Sequence, residues 1–246
     1  MNCSPDIREQ ISVCNWLKPR GKLRGSPIRD VVLTSGEIDN VGGLLSLREN
    51  EPYSIFGSAE VLDLLEANQV YDILDRRLVS LQATASGEAA MLGSGITVEL
   101  FPVPGKVPLY LEREAPTTGT ASEFTVGARV AAGHKSFFYI PGCAAIDDDL
   151  AARIRGAKLV FFDGTLWTDD EMIVSGTGSK TGRRMGHIPV SGSDGSLNIL
   201  SRLGIGRLIF IHVNNTNPML IDGSPERRDV EAANAEVAYD GMEITL

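Results

Sequence analysis

The sequence predicts an α/β protein in which layers of helices and sheets form a sandwich. In both halves of the 246-residue chain, short apolar runs typical of buried strands alternate with amphipathic segments typical of helices. Two of the apolar runs, which end at Phe162 and Ile211, lead directly into polar loops, and reactive groups of α/β sheets collect at such strand ends. The chain has neither internal repeats nor a low-complexity linker, so we expect one domain over residues 1–246.

The first half is expected to begin with a helix and to continue with three strands. Ser4 is expected to cap the helix, with Pro5 in its first position. A strand over 29–34 is expected to lead through a polar loop into a helix that includes Leu44. The other elements predicted here are the strands 53–56 and 96–103 and a capped helix from 58 to 65.

The second half is expected to begin with a hairpin, whose turn at Gly133 and His134 would place His134 on the surface. The hairpin strands are 125–130 and 136–140. The elements expected after it are helix 147–156, the strand ending at Phe162, helix 194–203, the strand ending at Ile211, helix 225–234 and a last hairpin of 236–239 and 242–244.

Composition excludes several classes of protein. The net charge of −9 disfavours a general nucleic-acid binder, because such proteins need clustered Lys and Arg. No apolar run approaches the roughly 20 residues that cross a bilayer, and the first residues do not resemble a signal peptide. The three scattered cysteines indicate reduced thiols. We therefore expect a cytoplasmic protein without membrane insertion.

Residues 158–218 concentrate the candidates for chemistry, since two of the three histidines, His187 and His212, lie there. Arg183 and Arg184 belong to a basic turn, which is either a solvated loop or a clamp for the carboxylates of a small anionic substrate. Asn214 and Asn215 follow His212 and would either build the loop or bind substrate.

The loop after the first strand resembles the metal-binding loop of the metallo-β-lactamase superfamily. There a strand ends in the motif HxHxDH before a Gly-Leu helix, and alternating ligands on a tight loop converge on metal. Ser35, Glu37, Asp39 and Asn40 stand at the four ligand positions, and among them Asp39 alone matches.

Later motifs continue this resemblance. VPGK, which ends at Lys106, is similar to the superfamily's Pro-Gly-His, and Cys143 of IPGC replaces a bridging acid. His212 matches the last ligand histidine. The resemblance implies a metallo-β-lactamase-like αββα sandwich with a largely altered zinc site. We expect Cys143 to be a buried thiol rather than a ligand.

Longer motifs resemble one family of that superfamily, pyrroloquinoline quinone biosynthesis protein B. They span the whole chain and are NCSPDIR (2–8), SPIR (26–29), GLLSLRE (43–49), DGTLW (163–167), TGRRMGH (181–187), HVNNTNP (212–218), SPER (224–227) and DGM (240–242). Family members carry a further N-terminal section with a Cys-x-Cys-x-x-Cys structural zinc motif, and they usually have His where Asn40 stands. We therefore expect this chain to lack the first strands of the fold and the structural zinc.

The family resemblance implies a non-haem iron enzyme that uses dioxygen to hydroxylate the tyrosine part of a glutamate–tyrosine precursor. Its partner would be that small peptide or amino-acid-derived precursor, and a homodimer is possible. The alternatives are a carrier that helps to move the cofactor or its precursor toward the periplasm, and an inactive truncated homologue. Glu37, Asp39 and His212 could supply a facial set of iron(II) ligands.

Each site residue also has a purely structural interpretation. Glu37 could be a solvated loop acid, Asp39 a helix-capping acid and His212 a core histidine. Asp163 and His187 resemble the acid–histidine dyad of related phosphodiesterases, in which the carboxylate fixes the imidazole tautomer and raises its basicity. The same two residues could instead only brace two loops.

Overall fold

The computed structural model describes residues 1–19, 21, 25–112 and 118–246. The strands are β1 (Asp30–Val32), β2 (Tyr53–Gly57), β3 (Val79–Ala83), β4 (Ala89–Met91), β5 (Thr97–Gly105), β6 (Thr120–Ala132), β7 (Lys135–Ile140), β8 (Val160–Asp163), β9 (Leu208–Ile211) and β10 (Ala235–Val237). The α-helices are α1 (Ile7–Val13), α2 (Ile38–Val41), α3 (Ala59–Ala67), α4 (Asp148–Ile154), α5 (Glu171–Val174), α6 (Gly182–Met185), α7 (Ser196–Leu200) and α8 (Pro225–Ala232). The 3₁₀ helices are Gly42–Ser46, Gln69–Ile73, Leu109–Leu111 and Pro218–Leu220.

Two sheets form the middle of the molecule. The smaller is parallel, in the order β1-β2-β3, and the larger has seven strands in the order β10-β9-β8-β7-β6-β5-β4. Strands β4 to β7 pair antiparallel, whereas β7, β8, β9 and β10 pair parallel. The two sheets meet beyond β1, where Ser35 and Thr125 form an isolated antiparallel bridge.

Three apolar clusters show how the layers stack. Val32 and Phe56 of the small sheet pack against Leu100 of the large sheet and form the core between the sheets. Helices α1 and α3 cover the other face of the small sheet, and helices α4, α7 and α8 cover the other face of the large one. The order of layers is therefore helix, sheet, sheet, helix, which confirms the predicted αββα sandwich.

Two details of the sequence prediction are wrong. The last hairpin does not form, because β10 pairs parallel with β9 after the crossover through α8, and residues 242–244 are not a strand. Ser4 does not cap the first helix, which begins at Ile7; its hydroxyl accepts instead from the Asp6 N–H at 3.1 Å. Among the described residues, no helix combines the length and the apolar character of a membrane span.

Candidate active site

Three neighbouring parallel strands bring the candidate residues to one edge of the large sheet. Asp163 is the last residue of β8 and pairs in register with Ile211, the last residue of β9. His212 follows at once, with a φ of 56°, in the left-handed region that few residues other than glycine adopt. Cys143 lies in the loop after β7 and is buried, as expected.

The Asp163 carboxylate is fully buried and accepts four hydrogen bonds. Its Oδ2 accepts from the Cys143 N–H at 2.9 Å and from His187 Nδ1 at 2.7 Å. Its Oδ1 accepts from the N–H and the hydroxyl of Thr165, at 3.0 and 2.6 Å. Since a carboxylate has about four lone-pair positions, Asp163 has little capacity left to bind a metal.

His187 follows α6, whose left-handed end at Gly186 turns the chain back toward Asp163. Burial alone would lower the pKa of His187, but the charge and hydrogen bond of Asp163 outweigh it and raise that pKa. Burial would likewise raise the pKa of Asp163, and the two histidines lower it. The structure thus brings the predicted acid–histidine pair into direct contact, while its catalytic role stays a prediction.

Thr165 links the two histidines, although the sequence analysis did not single it out. Its Oγ1 lies 2.6 Å from Asp163 Oδ1, 3.0 Å from His187 Nδ1, 2.8 Å from His212 Nδ1 and 3.0 Å from the His212 carbonyl oxygen. The hydroxyl has one hydrogen, and the charged carboxylate at the shortest distance is its strongest acceptor. We infer that Oγ1 accepts the Nδ1–H of His212, so that Nε2 of His212 carries the lone pair.

The two imidazole rings stack at a centroid distance of 5.4 Å and an interplanar angle of 20°. Burial against the cavity wall, followed by the positive charge of His187, lowers the pKa of His212, although part of its surface stays open to solvent. The pKa values of His187 and His212 are thus pushed in opposite directions, which makes His187 the more basic of the two imidazoles.

A cavity of about 370 Å³ opens over this site, within the usual size range of small-molecule pockets. Glu37, Asp39 and His212, the predicted metal ligands, all line it together with His187. Among the described residues, however, the group close enough to share a metal is Asp163, His187 and His212, whose ligand atoms lie within 4.8 Å of one another. The structure therefore brings the predicted ligands into one cavity without bringing them together.

The loop that carries Glu37 is held by direct contacts between side chains. Glu37 Oε1 accepts from Lys106 Nζ at 2.8 Å and from the Leu109 N–H at 3.1 Å. The buried Asn40 amide donates to Ser35 Oγ at 2.6 Å. Asp39 is exposed to the cavity and forms no hydrogen bond with the part of the chain that is described.

The four predicted substrate-binding residues lie outside the set that lines the cavity. Arg183 pairs with the exposed Asp194 at 2.5 Å, and Arg184 pairs with Glu112 at 3.1 Å. Asn214 accepts from the Asn215 N–H at 2.9 Å, as expected of a residue that builds its loop. Contact of these four residues with a substrate stays a prediction.

Known proteins resemble this chain along its full length. The beta-lactamase superfamily domain matches residues 1–213. Coenzyme PQQ synthesis protein B of Methylobacterium radiotolerans is 49% identical over 246 residues, which are 100% of this chain and 82% of that protein. The Rhizobium meliloti protein of the same name is 51% identical over 245 residues, covering 100% of this chain and 80% of the relative.

Solved structures agree with the sequences. The crystal structure of Zn²⁺-bound PqqB from Methylobacterium extorquens superposes with a TM-score of 0.97 at 47% identity, covering 100% of this chain and 82% of that one. A diphosphatase of the PhnP family, with a TM-score of 0.64 at 18% identity over 98% of this chain and 76% of its own, shares the fold. The chain belongs to the coenzyme PQQ synthesis protein B family of the beta-lactamase superfamily.

Proposed function

We propose that the chain acts in pyrroloquinoline quinone biosynthesis, as an iron- and oxygen-dependent hydroxylase of the tyrosine part of a glutamate–tyrosine precursor. Family membership supports the pathway. The observation that supports an enzyme is the buried Asp163, which orients His187 beside His212 at the wall of a cavity. Titratable side chains whose pKa values are shifted by burial and by a specific charged partner, and which lie in a cleft, are typical of catalytic sites.

Two residues of the cavity lining are suitable ligand types for one metal ion. Thr165 occupies Nδ1 of His212, which leaves Nε2 as a ligand, and Asp39 offers an unpaired carboxylate in the same cavity. Imidazole and carboxylate are the ligand types of non-haem iron sites. Asp39 and His212 would hold the metal, and open coordination positions would remain for water or substrate. The Methylobacterium extorquens relative binds Zn²⁺ in its crystal structure, which shows that a member of this family binds a metal.

Glu37, the third predicted ligand, fits less well. Its carboxylate is neutralised by Lys106 and also accepts the Leu109 N–H. A metal at Glu37 would compete with the Lys106 ammonium group for the charge of one carboxylate. Ligation by Glu37 therefore depends on Lys106.

A bound iron(II) would supply the activation of dioxygen. One oxygen atom enters the phenol ring and the other leaves as water, a balance that requires two electrons from an external reductant. Within the chain, His187 in its neutral form is the proposed base, because Asp163 holds its Nδ1–H and leaves Nε2 to accept the phenol proton. His212, stacked on His187, forms its Nδ1 hydrogen bond with Thr165 instead. The proposed base is therefore His187, and His212 is the proposed metal ligand.

Anaerobic titration with ferrous iron tests this proposal. Wild-type chain should bind one equivalent, and Asp39→Ala and His212→Ala should each weaken binding at least about tenfold, as is common for the loss of one ligand interaction. His134→Ala, in the exposed turn between β6 and β7, is the matched control and should bind as wild type does. Oxygen consumption with a tyrosine-containing precursor and ascorbate should follow the same order.

A carrier of the cofactor or its precursor is the second candidate. The Asn40–Ser35 hydrogen bond and the Glu37–Lys106 pair favour it, because both use positions at which the superfamily binds metal. A folded chain that binds no iron but still binds the precursor would establish the carrier and refute the hydroxylase.

A further inference from the structure

We propose that Lys180 and Arg184, held by Glu112, form a subsite at the rim of the cavity for a carboxylate of the substrate. This inference rests on the proposed function, since it identifies which part of a glutamate–tyrosine precursor the cavity would recognise. It differs from the predicted pair of Arg183 and Arg184 by including Lys180, which lines the cavity, whereas Arg183 does not.

Three cations converge on one carboxylate at this place. The Glu112 side chain is only 7% exposed, and its Oε2 lies 2.8 Å from Lys180 Nζ and 3.1 Å from Arg184 Nη1. Its Oε1 lies 3.0 Å from Lys106 Nζ. Burial would raise the pKa of Glu112, but the hydrogen bonds from Lys180 and Lys106 lower it to about 2. Glu112 is therefore ionised at neutral pH and fixes the positions of the cations.

The cluster has more positive than negative charge. Lys106, Lys180 and Arg184 contribute three positive charges, while Glu37 and Glu112 contribute two negative ones. One carboxylate of a ligand would bring these five groups to neutrality. A local excess of positive charge favours the approach of an anion.

The cations also differ in how many N–H groups remain free to bind a ligand. Lys106 donates to Glu37 and to the Val107 carbonyl oxygen, and its Nζ also lies 3.0 Å from Glu112 Oε1, so that three oxygens already surround this ammonium group. Lys180 contacts Glu112 alone among the described residues, and its side chain is 35% exposed. Lys180 lines the cavity, so its remaining N–H groups are the ones that a ligand carboxylate can reach.

Arg184 has a different task in the subsite. It does not line the cavity, but it contacts the same Glu112 oxygen as Lys180 does. Arg184 therefore neutralises part of the negative charge of Glu112, and less of that charge is left to offset the positive charge of Lys180. Lys180 and His187 both line the cavity. The cluster fits one carboxylate of a ligand, and the phenol ring of that ligand follows from the proposed function.

Calorimetric titration of the full chain with three probes tests this subsite. The probes are glutamyl-tyrosine, glutaminyl-tyrosine, which lacks the side-chain carboxylate, and glutamyl-tyrosine amide, which lacks the terminal one. Lys180→Met should weaken binding of glutamyl-tyrosine about fivefold, a typical value for a partly exposed ion pair. Arg184→Met should weaken it less. Lys158→Met, an exposed lysine outside the cavity lining, is the matched control and should leave binding unchanged.

The comparison between probes identifies the contact. For the probe that lacks the recognised carboxylate, Lys180→Met should have no effect, because wild type has already lost the interaction. If Lys180→Met weakened the binding of all three probes equally, the subsite would be overturned. The same conclusion would follow if wild type bound none of the three probes. Iron binding is titrated separately on the same preparations. A chain that binds no iron but shows the probe dependence loses the proposed hydroxylase and keeps the subsite.

Discussion

Asp163→Asn tests the centre of the site, because the exchange removes one charge and keeps the shape. The amide can accept with its oxygen and must present its NH₂ group to the donors on the other side. If NH₂ faces the Oδ1 side, the Thr165 hydroxyl can turn and accept, but the Thr165 N–H loses its partner. If it faces the Oδ2 side, His187 can change tautomer, but the Cys143 N–H loses its partner.

Either orientation therefore leaves one buried N–H unpaired and weakens the other bonds from charge-assisted to neutral. An unpaired buried donor costs about 1–3 kcal/mol, and a hydrogen bond to a charged group contributes about 1.5–3 kcal/mol. Together with the loss of a buried ion pair, we expect the free energy of unfolding to fall by about 3–5 kcal/mol. Urea denaturation of the metal-free chain followed by circular dichroism measures it.

The pH dependence of this loss separates a charge effect from a packing effect. The lowered pKa of Asp163 adds stability that is present above its ordinary value of 3.8 and is lost as the pH falls through the folded value. The raised pKa of His187 adds stability that is present below its ordinary value of 6.5 and is lost as the pH rises through the folded value. The difference between wild type and Asp163→Asn should therefore peak near about pH 5–6.

The exposed Asp63 of α3 provides the control, since Asp63→Asn should change the free energy of unfolding by no more than about 0.5 kcal/mol. A loss below about 1 kcal/mol for Asp163→Asn would refute the reasoning, because it would mean that the four hydrogen bonds contribute no more than an ordinary surface contact. A loss that stays constant from pH 5 to pH 8 would refute the ionic coupling to His187.

Two further predictions concern neighbours of this centre. Thr165→Val should shift His212 toward the other neutral tautomer and destabilise the chain by about 1–3 kcal/mol, while Thr165→Ser should keep the tautomer and the stability of the wild type. ¹⁵N spectra of the imidazole rings measure the tautomer, and urea titrations measure the stability. An unchanged tautomer in the valine variant would contradict the assignment. Lys106→Met should free Glu37 and raise the affinity for ferrous iron about tenfold, the equivalent of about 1.4 kcal/mol; unchanged affinity would exclude Glu37 as a ligand.

The sequence could predict the parts of the site that follow from strand ends. Apolar runs that stop at Asp163 and before His212 indicate parallel strands, and such strands bring their carboxyl ends to one edge. His187 was predicted to join them by resemblance to known dyads. Thr165 had a signal that was available, since Asp-Gly-Thr after a strand favours an Asx turn, in which the Asp side chain accepts the N–H two residues on.

Other features depend on contacts that no local pattern reveals. Lys106 and Glu37 are 69 residues apart in the chain. No local pattern therefore indicates that Glu37, a predicted ligand, forms an ion pair with Lys106. The parallel pairing of β10 was missed because Asp-Gly at 240–241 is also a hairpin signal. The order strand, helix, strand from β9 through α8 is the pattern of a parallel crossover, and here it prevails over the local turn signal.

Asp163 and the loop beyond β1 differ in how readily their side chains can be replaced, and the reason is physical. Asp163 is fully buried with four donors around it, so any replacement there leaves unpaired groups in the interior. Positions on the loop beyond β1 face a cavity, where a metal ligand can be exchanged for a pair of side chains that satisfy each other, as Ser35 and Asn40 do. At Glu37 an ammonium stands in for the charge of a metal. Lys106 thus takes the place of one cation, whereas Asp39 and His212 are the residues that we propose to hold another.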